Sequence, residues 1–410
     1  MENIPEKWES SKLKDISLDF IGGGTPSTTN SKYWNGYIAW MTSAHITGRE
    51  VVNGQRYITN EGLENSSTHI VPKNNILVAS RVGIGKIAIN RIDIAISQDL
   101  TGIIIDKGKA IPDYLYWMLI KHEKKLKSLA QGSTIKGILR EDLGKIKLII
   151  PPLSEQKKIA EVLSTVDEAI EKVGEAIEKT QRMKKGLMQE LLAKGIGHKE
   201  FKETKIGRIP EEWEIVRLGE VIQEIKNGFA SGKRDEHGIV QIRMNNVTTE
   251  GHLIFDSYLK VPAPESVKDW LLKKGDFLFN NTNSIDLVGK STVFNKAPFP
   301  CTFSNHFTRI RFKQEFVLPE LILYHFIVLW EKSYFKSVAI RHVGQSAVHS
   351  DYLLKLQLPL PPLPEQQKIA EILSSVDKRL ELLGDYKEKL AKVKIGLMNA
   401  LLTGEKRVKI

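Results

Sequence analysis

The chain has 410 residues, 41% of them hydrophobic, which predicts two to four domains with ordinary cores. Its longest strongly apolar run, 321–330, falls far short of the ~20 residues of a membrane span, and the polar opening MENIPEKWES lacks the apolar stretch of a signal peptide. The lone cysteine, Cys301, excludes an intramolecular disulfide, fits a reducing cytoplasm and reads as a packed small hydrophobe.

The net charge of +11 is unevenly placed. Residues 1–150 hold 20 Lys/Arg against 15 Asp/Glu, and 196–363 hold 22 against 19. The stretches 151–195 (8 against 8) and 364–404 (7 against 6) are almost neutral, and the last six residues add +2. A modest positive surplus therefore lies on two blocks, where it is compatible with phosphate contacts.

In chain order, NIPEKWESSKL (3–13) opens the first block. The runs 36–46, 74–90 and 94–106 are apolar and β-branched, broken by Gly, Asn and Asp, and they predict short strands. An amphipathic helix is expected over 111–130, with Trp117 in its core face. PPLSEQKKIAEVLSTVD then begins at Pro151, and Ser154 is the expected cap of a long helix. Its apolar stripe runs Ile159, Leu163, Val166, Ile170, Val173, Ile177, Thr180, Lys184, Leu187, Leu191, in steps of four and three. Such a 3.5-residue period predicts a left-handed coiled-coil seam.

The chain then repeats itself. RIPEEWEIVRL (208–218) answers 3–13, with Trp213 in the place of Trp8. A second block has expected strands in 238–254, 275–295 and 301–312 and an expected helix over 318–338. PPLPEQQKIAEILSSVD begins at Pro361 and agrees with the first copy at 13 of 17 positions; Pro364 suits its first turn. The second stripe is Ile369, Leu373, Val376, Leu380, Leu383, Lys387, Leu390, Lys394, Leu397, Leu401. Each helix has about 40 residues and spans roughly 60 Å.

A rod with one apolar stripe needs a partner, and the other rod is the nearest. Chain order makes that pair antiparallel, with one block at each end and the termini close together. The expected fold is mixed α+β: two α/β globular domains joined by two long helices in an antiparallel coiled coil, with a pseudo-two-fold internal repeat. The expected boundaries are 1–150, first block; 151–195, first rod; 196–208, linker; 209–360, second block; 361–404, second rod; 405–410, basic tail. The seam lysines read as snorkelling or as register selectors. Gly174, Gly186, Gly384 and Gly396 match across the repeat and suggest close approach of the other rod or of an outside protein.

Catalytic motifs fail on inspection. LVGKST (287–292) needs a glycine where Ser284 stands, and GIGKIA has Ser80 in that place and Ile87 where a Mg²⁺-binding hydroxyl belongs. Lys86 and Lys290 therefore read as surface lysines on tight turns. Asp113 with Glu123 and Lys125 lies along one predicted helix, about 15 Å from end to end, and cannot converge on a metal. His306, His325, His342 and His349 lack ligand spacing, so no metal site is expected.

The duplicated IPEKWE/IPEEWE openings and PPLSEQ/PPLPEQ helices, with GGGTPSTTNSKYWNG (22–36) and IKNGFASGK (225–233), resemble the specificity subunit of Type I restriction–modification systems across essentially the whole chain. The resemblance implies a non-catalytic subunit in which each block is a target-recognition domain reading one half of a bipartite site in double-stranded DNA. The helices set the gap and dock two modification (methyltransferase) subunits. Restriction (translocase/nuclease) subunits complete the complex. No cofactor is expected on this chain; S-adenosylmethionine, ATP and Mg²⁺ belong to partner subunits, and no membrane is involved. A coiled-coil scaffold that never touches DNA is the alternative.

Polar clusters between the strands are then the candidate DNA contacts. In the first block they are Thr25, Thr28, Asn30, Arg81, Lys86, Gln131, Ser133, Thr134 and Lys136. In the second they are Lys233, Arg234, Asn280, Asn281, Asn283, Lys290, Arg341, His342 and Gln345.

Overall fold

The computed structural model describes residues 5–130 and 137–409. It divides into two units, Met1–Glu175 with Asp385–Ile410, and Ala176–Gly384. The division passes through both long helices, so each unit owns one globular block and one half of each rod.

The rods are continuous helices, Leu153–Lys194 and Leu363–Leu402. Each begins on a proline carbonyl: Gln156 N–H donates to Pro152 O at 3.0 Å and Gln366 N–H to Pro362 O at 3.1 Å. Ser154 therefore sits inside the first turn and is not the cap; the Pro-Pro pair supplies the start. Pro364 lies in the first turn as expected. Every stripe residue of the first rod is buried or half-buried, Lys184 included. On the second rod the same holds except at Lys387, which is exposed.

The half-rods run antiparallel inside each unit. In the first unit Lys394 pairs with Asp167 and lies over the Trp117 ring, 4.9 Å from its centroid. In the second, Lys184 pairs with Asp377 at 2.5 Å and lies over the Tyr324 ring, at 5.8 Å. Both pairs follow the same repeat offset. Lys184 and Lys394 are thus held by specific carboxylates, whereas the exposed Lys387 lies with its tip near Gly174. The glycines behave differently from the expectation of close rod approach. Among the described residues, nothing lies within 4 Å of a Cβ built on Gly186, Gly384 or Gly396, and Gly174 meets only the flexible tip of Lys387.

In the first unit, five strands form one sheet in the order Ser17–Gly22, Leu100–Ile105, Asn75–Ala79, Ile87–Asn90, Glu50–Val51. Four more form another, in the order Arg56–Ile58, Trp34–Met41, Ile94–Ile96, His69–Val71. The core is mostly aliphatic and takes in Ile76, Val78, Ile87, Ile89 and Ile103 with Trp8 and Trp117; Ile159, Leu163, Leu401 and Leu402 of the rods close it. Gly404 lies against Pro5 there, so the first and last described segments of the chain pack together.

In the second unit the main sheet runs Ile222–Asn227, Phe307–Phe312, Asp276–Asn280, Ser291–Phe294. A second sheet runs Leu259–Val261, Ile239–Ile242, Cys301–Phe303, and a third runs Thr282–Asn283, Gln345–Ala347, Ile340–His342. The core here is aromatic: Phe326 packs on Phe277, Phe279 and Phe335 with ring centroids 5.0, 5.8 and 5.3 Å apart.

Both expected block helices are broken. The first is Pro112–Lys121 then Glu123–Ser128, interrupted at His122, whose Nδ1 lies 2.8 Å from Met118 O. A side chain bonded to the carbonyl four residues back competes with the helix ladder. The second is Pro319–Glu331 then Tyr334–Val338, with Ser333 between them at φ +60°. The stretch expected as a linker, 196–208, contributes to a hairpin, Phe201–Thr204 with Gly207–Pro210.

Candidate nucleic-acid interface

The repeated sequence words build a joint between block and rod. Trp8 Nε1–H donates to Glu155 at 3.3 Å, and Trp213 Nε1–H donates to Glu365 at 3.0 Å. The neighbouring glutamines are fully buried. Gln156 donates to Lys109 O and Pro151 O and accepts from Ile111 N–H, all within 2.9 Å. Gln366 repeats this with Phe316 O, Pro361 O and Leu318 N–H. Each glutamine therefore satisfies two backbone groups at the start of the block helix and one proline carbonyl just before the rod, groups that are costly to bury unpaired. The chain leaving each rod closes on the glutamate of the other: Arg407 pairs with Glu155, and His198 Nε2 lies 2.9 Å from Glu365. The basic tail is thus anchored at Arg407. Spacing of E-Q after Pro-Pro was visible in the sequence; its bonding to Trp and to the block was not.

In the first block, Thr25 and Thr28 are exposed, and the Thr25 hydroxyl donates to Gln98 at 2.6 Å. Asn30 Oδ1 accepts from Lys32 N–H and caps a short turn. Arg81 is exposed, and the Ser80 and Arg81 amides both bond Asp99 O. Thr25 and Arg81 are therefore tied to the adjacent residues Gln98 and Asp99, and Gln98 joins the candidate edge, though sequence reading did not single it out. Lys86 is exposed but reaches Ile46 O at 3.2 Å beside an open cleft of about 450 Å³ that also holds Tyr116 and Lys127. Gln131, Ser133, Thr134 and Lys136 lie outside the described residues.

The second block sorts its candidates into two groups. Lys233, Arg234, Arg341, His342 and Gln345 are exposed. Asn280, Asn283 and Lys290 are buried. Asn280 donates to Thr282 O and His306 O and accepts from Asn283, so these amides hold the loop together. Asn281, half-buried, donates to Thr308. The Lys290 ammonium bonds Met244 O and Val247 O at 3.0 and 2.6 Å, and burial lowers its pKa. The reading of Lys290 as a surface lysine is thus corrected: its ammonium is taken up by two carbonyls of the Met244–Val247 turn. Lys86 makes a single bond of the same kind from a more open position.

Arg243 was missed. Its guanidinium reaches Ser231 O in the loop that carries Lys233 and Arg234, and its charge, after burial, helps hold His306 below the ordinary histidine pKa. Alternation of Arg243 with apolar strand residues gave no sign of this.

Asp113 is paired with Arg91 at 2.7 Å and Arg49 at 3.6 Å, and Glu123 with Lys127 at 2.5 Å. Among the described residues no cluster of three His, Cys, Asp or Glu is placed to hold a metal, and no helix is long and apolar enough to cross a membrane. Cys301 is buried, and burial pushes its thiol up to about 11, away from a reactive thiolate.

Comparison with known proteins agrees with the duplicated joint. The family model described as Type I restriction modification DNA specificity domain matches twice, over residues 5–179 and 210–392. The chain is similar to the Type I restriction enzyme MjaVIII specificity subunit of Methanocaldococcus jannaschii, with 30% identity over 99% of this chain and 94% of that one. It is also similar to the MjaIX specificity subunit of the same organism, at 26% identity over 99% and 95%. Among solved structures, a Type-I restriction-modification system S subunit from M. genitalium shares the fold, with a TM-score of 0.63, 15% identity, and 98% and 97% of the two chains covered. A chain from a structure concerned with complex assembly of the type I R-M system superposes with a TM-score of 0.58 at 17% identity, covering 98% of this chain and all of that one. Two family-model matches, one on each repeat, place the chain in the family of Type I restriction–modification DNA specificity subunits.

Proposed function

We propose that this chain is the DNA-recognition subunit of a Type I restriction–modification complex and that each globular block reads one half of a bipartite duplex target. It is a recognition subunit and not itself a catalyst. The observation that carries this reading is the duplicated joint. Trp, Glu and Gln hold both blocks to the rods in the same way, while the exposed loops beyond them differ in residue and charge. Constant attachment with variable loops suits two heads that read different bases.

In this reading the domains are those of the sequence, 1–150 and 209–360 as heads, 151–195 and 361–404 as rods, joined by 196–208 and ended by 405–410. The rods form the antiparallel coiled coil expected from the sequence, a reading supported by the Lys394–Asp167 pair in the first unit and the Lys184–Asp377 pair in the second. A rigid rod of roughly 60 Å can fix a separation of the order of one or two turns of DNA, at about 34 Å each. Outer helix faces receive the modification subunits. Tyr386 and Val393, seven residues apart on one side of the second rod, are exposed apolar residues on such a surface, and Gly396 leaves open space next to Val393. S-adenosylmethionine, ATP and Mg²⁺ would be carried by the partner subunits.

Exposed Thr25, Thr28, Arg81, Lys233, Arg234, Arg341, His342 and Gln345 are the DNA contacts of this proposal. Asn280, Asn283 and Lys290 shape the loops from within. The test is to sequence methylated adenines in cells that carry the modification subunits with and without this chain. A bipartite motif that appears only with the chain is expected. Retention of the same motif without it, or no shift of random duplex across a salt series, would favour the non-binding scaffold.

A further inference from the structure

The hairpin at the edge of the third sheet of the second unit sorts its side chains into two faces. Ile340 stands opposite Ala347, Arg341 opposite Ser346, and His342 opposite Gln345. Ala347 and Ser346 in turn face Thr282 and Asn283. Side chains alternate across a strand. One face therefore carries Ile340, His342, Gln345, Ala347 and Thr282, and the other carries Arg341, Ser346 and Asn283. Ser346 and Asn283 are buried, so this face turns toward the body of the unit at its base, while Arg341, on the outermost strand, stays exposed. The Gln345 face turns outward.

Val343 and Gly344 make the turn, with Gly344 at φ +80°. Val343 is completely exposed. Arg341, His342 and Gln345 are exposed too, and none makes a side-chain hydrogen bond or ion pair among the described residues. The segment 339–349, AIRHVGQSAVH, contains no carboxylate. Ile340–His342 is the outermost strand of its sheet, so the ribbon is two strands wide where it projects. Paired strands lie about 4.8 Å apart, and the major groove of B-DNA is about 12 Å wide and admits a two-stranded ribbon.

We infer that this hairpin enters the major groove of the half-target read by the second block, and that its outward face, and not Arg341, reads base edges. The inference rests on the functional reading above. Gln345 offers the amide pair that matches the N7 acceptor and N6 donor of adenine. Val343 at the tip offers methyl groups to the 5-methyl group of a neighbouring thymine. Arg341, on the opposite face, grips a phosphate and fixes the approach without reporting sequence. The absence of acid on the hairpin suits a polyanion.

The experiment uses the full chain co-expressed with its modification subunits in a methylation-deficient host, with methylated adenines read genome-wide. For Gln345→Ala, discrimination at one A·T pair of one half-target is expected to fall at least tenfold, with the other half unchanged. Gln345→Glu, which keeps size but only accepts, is expected to move preference at that pair toward cytosine. Val343→Ala is expected to lower preference for the adjacent thymine a few-fold. Arg341→Ala is expected to lower methylation about fivefold at all sites with the motif intact. The inference is overturned if both Gln345 variants keep the wild-type motif, or if Arg341→Ala alone changes the bases recognised. Should the wild-type complex methylate no bipartite target, the functional reading itself fails and takes this one with it.

Discussion

The two units share a frame and fill it differently. Their central strands pair in the same register: Thr101 lies between Gly22 and Val78, and Thr308 lies between Asn227 and Phe279. Residue by residue, Gly102 corresponds to Arg309 and Ile104 to Arg311. In the first unit Gly102 lets Val71 press against the backbone, where a Cβ would stand 2.3 Å from a Val71 methyl. In the second, the Arg309 guanidinium is buried and pairs with Glu224, and Arg311 bonds Asp276 at 2.6 Å. The aliphatic sheet is held by packing, the aromatic one by rings and ion pairs. Backbone pairing and rod docking define this fold; core chemistry is exchangeable within it.

The two cores should respond most differently to a change in the aromatic cluster. Phe326→Ala is expected to cost about 3–5 kcal/mol, since three rings lose their common partner. In a calorimetric scan the second unit should melt earlier while the first holds; equal shifts of both would contradict independent cores. Next comes the seam. Among the described residues Lys184→Met leaves Asp377 with the Tyr324 hydroxyl at 2.9 Å, and it is expected to cost about 3 kcal/mol. Lys394→Met should cost less, because the Lys394 side chain is 25% exposed against 10% for Lys184. Denaturant midpoints of the two variants would rank them.

The units should also part company in acid. Pro112 and Pro319 open equivalent helices, so Met118 corresponds to His325. His325 is buried with an unbonded Nε2, and burial pushes its pKa down from 6.5 to about 4. Its folded pKa lies below the unfolded one, so the unfolded chain takes up the proton first. Stability of the second unit is full above pH 6.5 and falls by roughly 3 kcal/mol as pH drops toward 4. His325→Met, which installs the residue of the first unit, should flatten that fall in urea melts taken across the range. The smallest effect is expected at the surface. Arg341→Ala should leave both melts in place and lower methylation only through weaker binding of one half-target, as a salt series on duplex binding would show.

Much of this was legible in the sequence, and the limits have physical causes. The stripe from Ile159 to Leu191 and its copy from Ile369 to Leu401 declared two rods, because a 3.5-residue period leaves few other solutions. Trp8 and Trp213 marked the start of each block. The fate of polar residues between short strands was not readable. Asn280 and Gln345 sit in similar company in the sequence, yet one is sealed under its own loop and the other faces solvent. Only the tertiary position of a partner carbonyl separates the two cases. His122 and Ser333 broke helices for local reasons that an apolar pattern does not record.

Each block is entered and left through a single doorway. Glu9–Lys12 pairs with Lys147–Ile150, and Glu214–Arg217 pairs with Gln357–Leu360, so the incoming and outgoing strands stand side by side. Whatever the chain does in between, it must return to the threshold from which it departed. Loops can lengthen or shrink inside a block without moving the rod by even one residue, which is why the two copies tolerate offsets of 205 and 210 and still present their rods in step. The frame keeps its measure while its contents are rewritten.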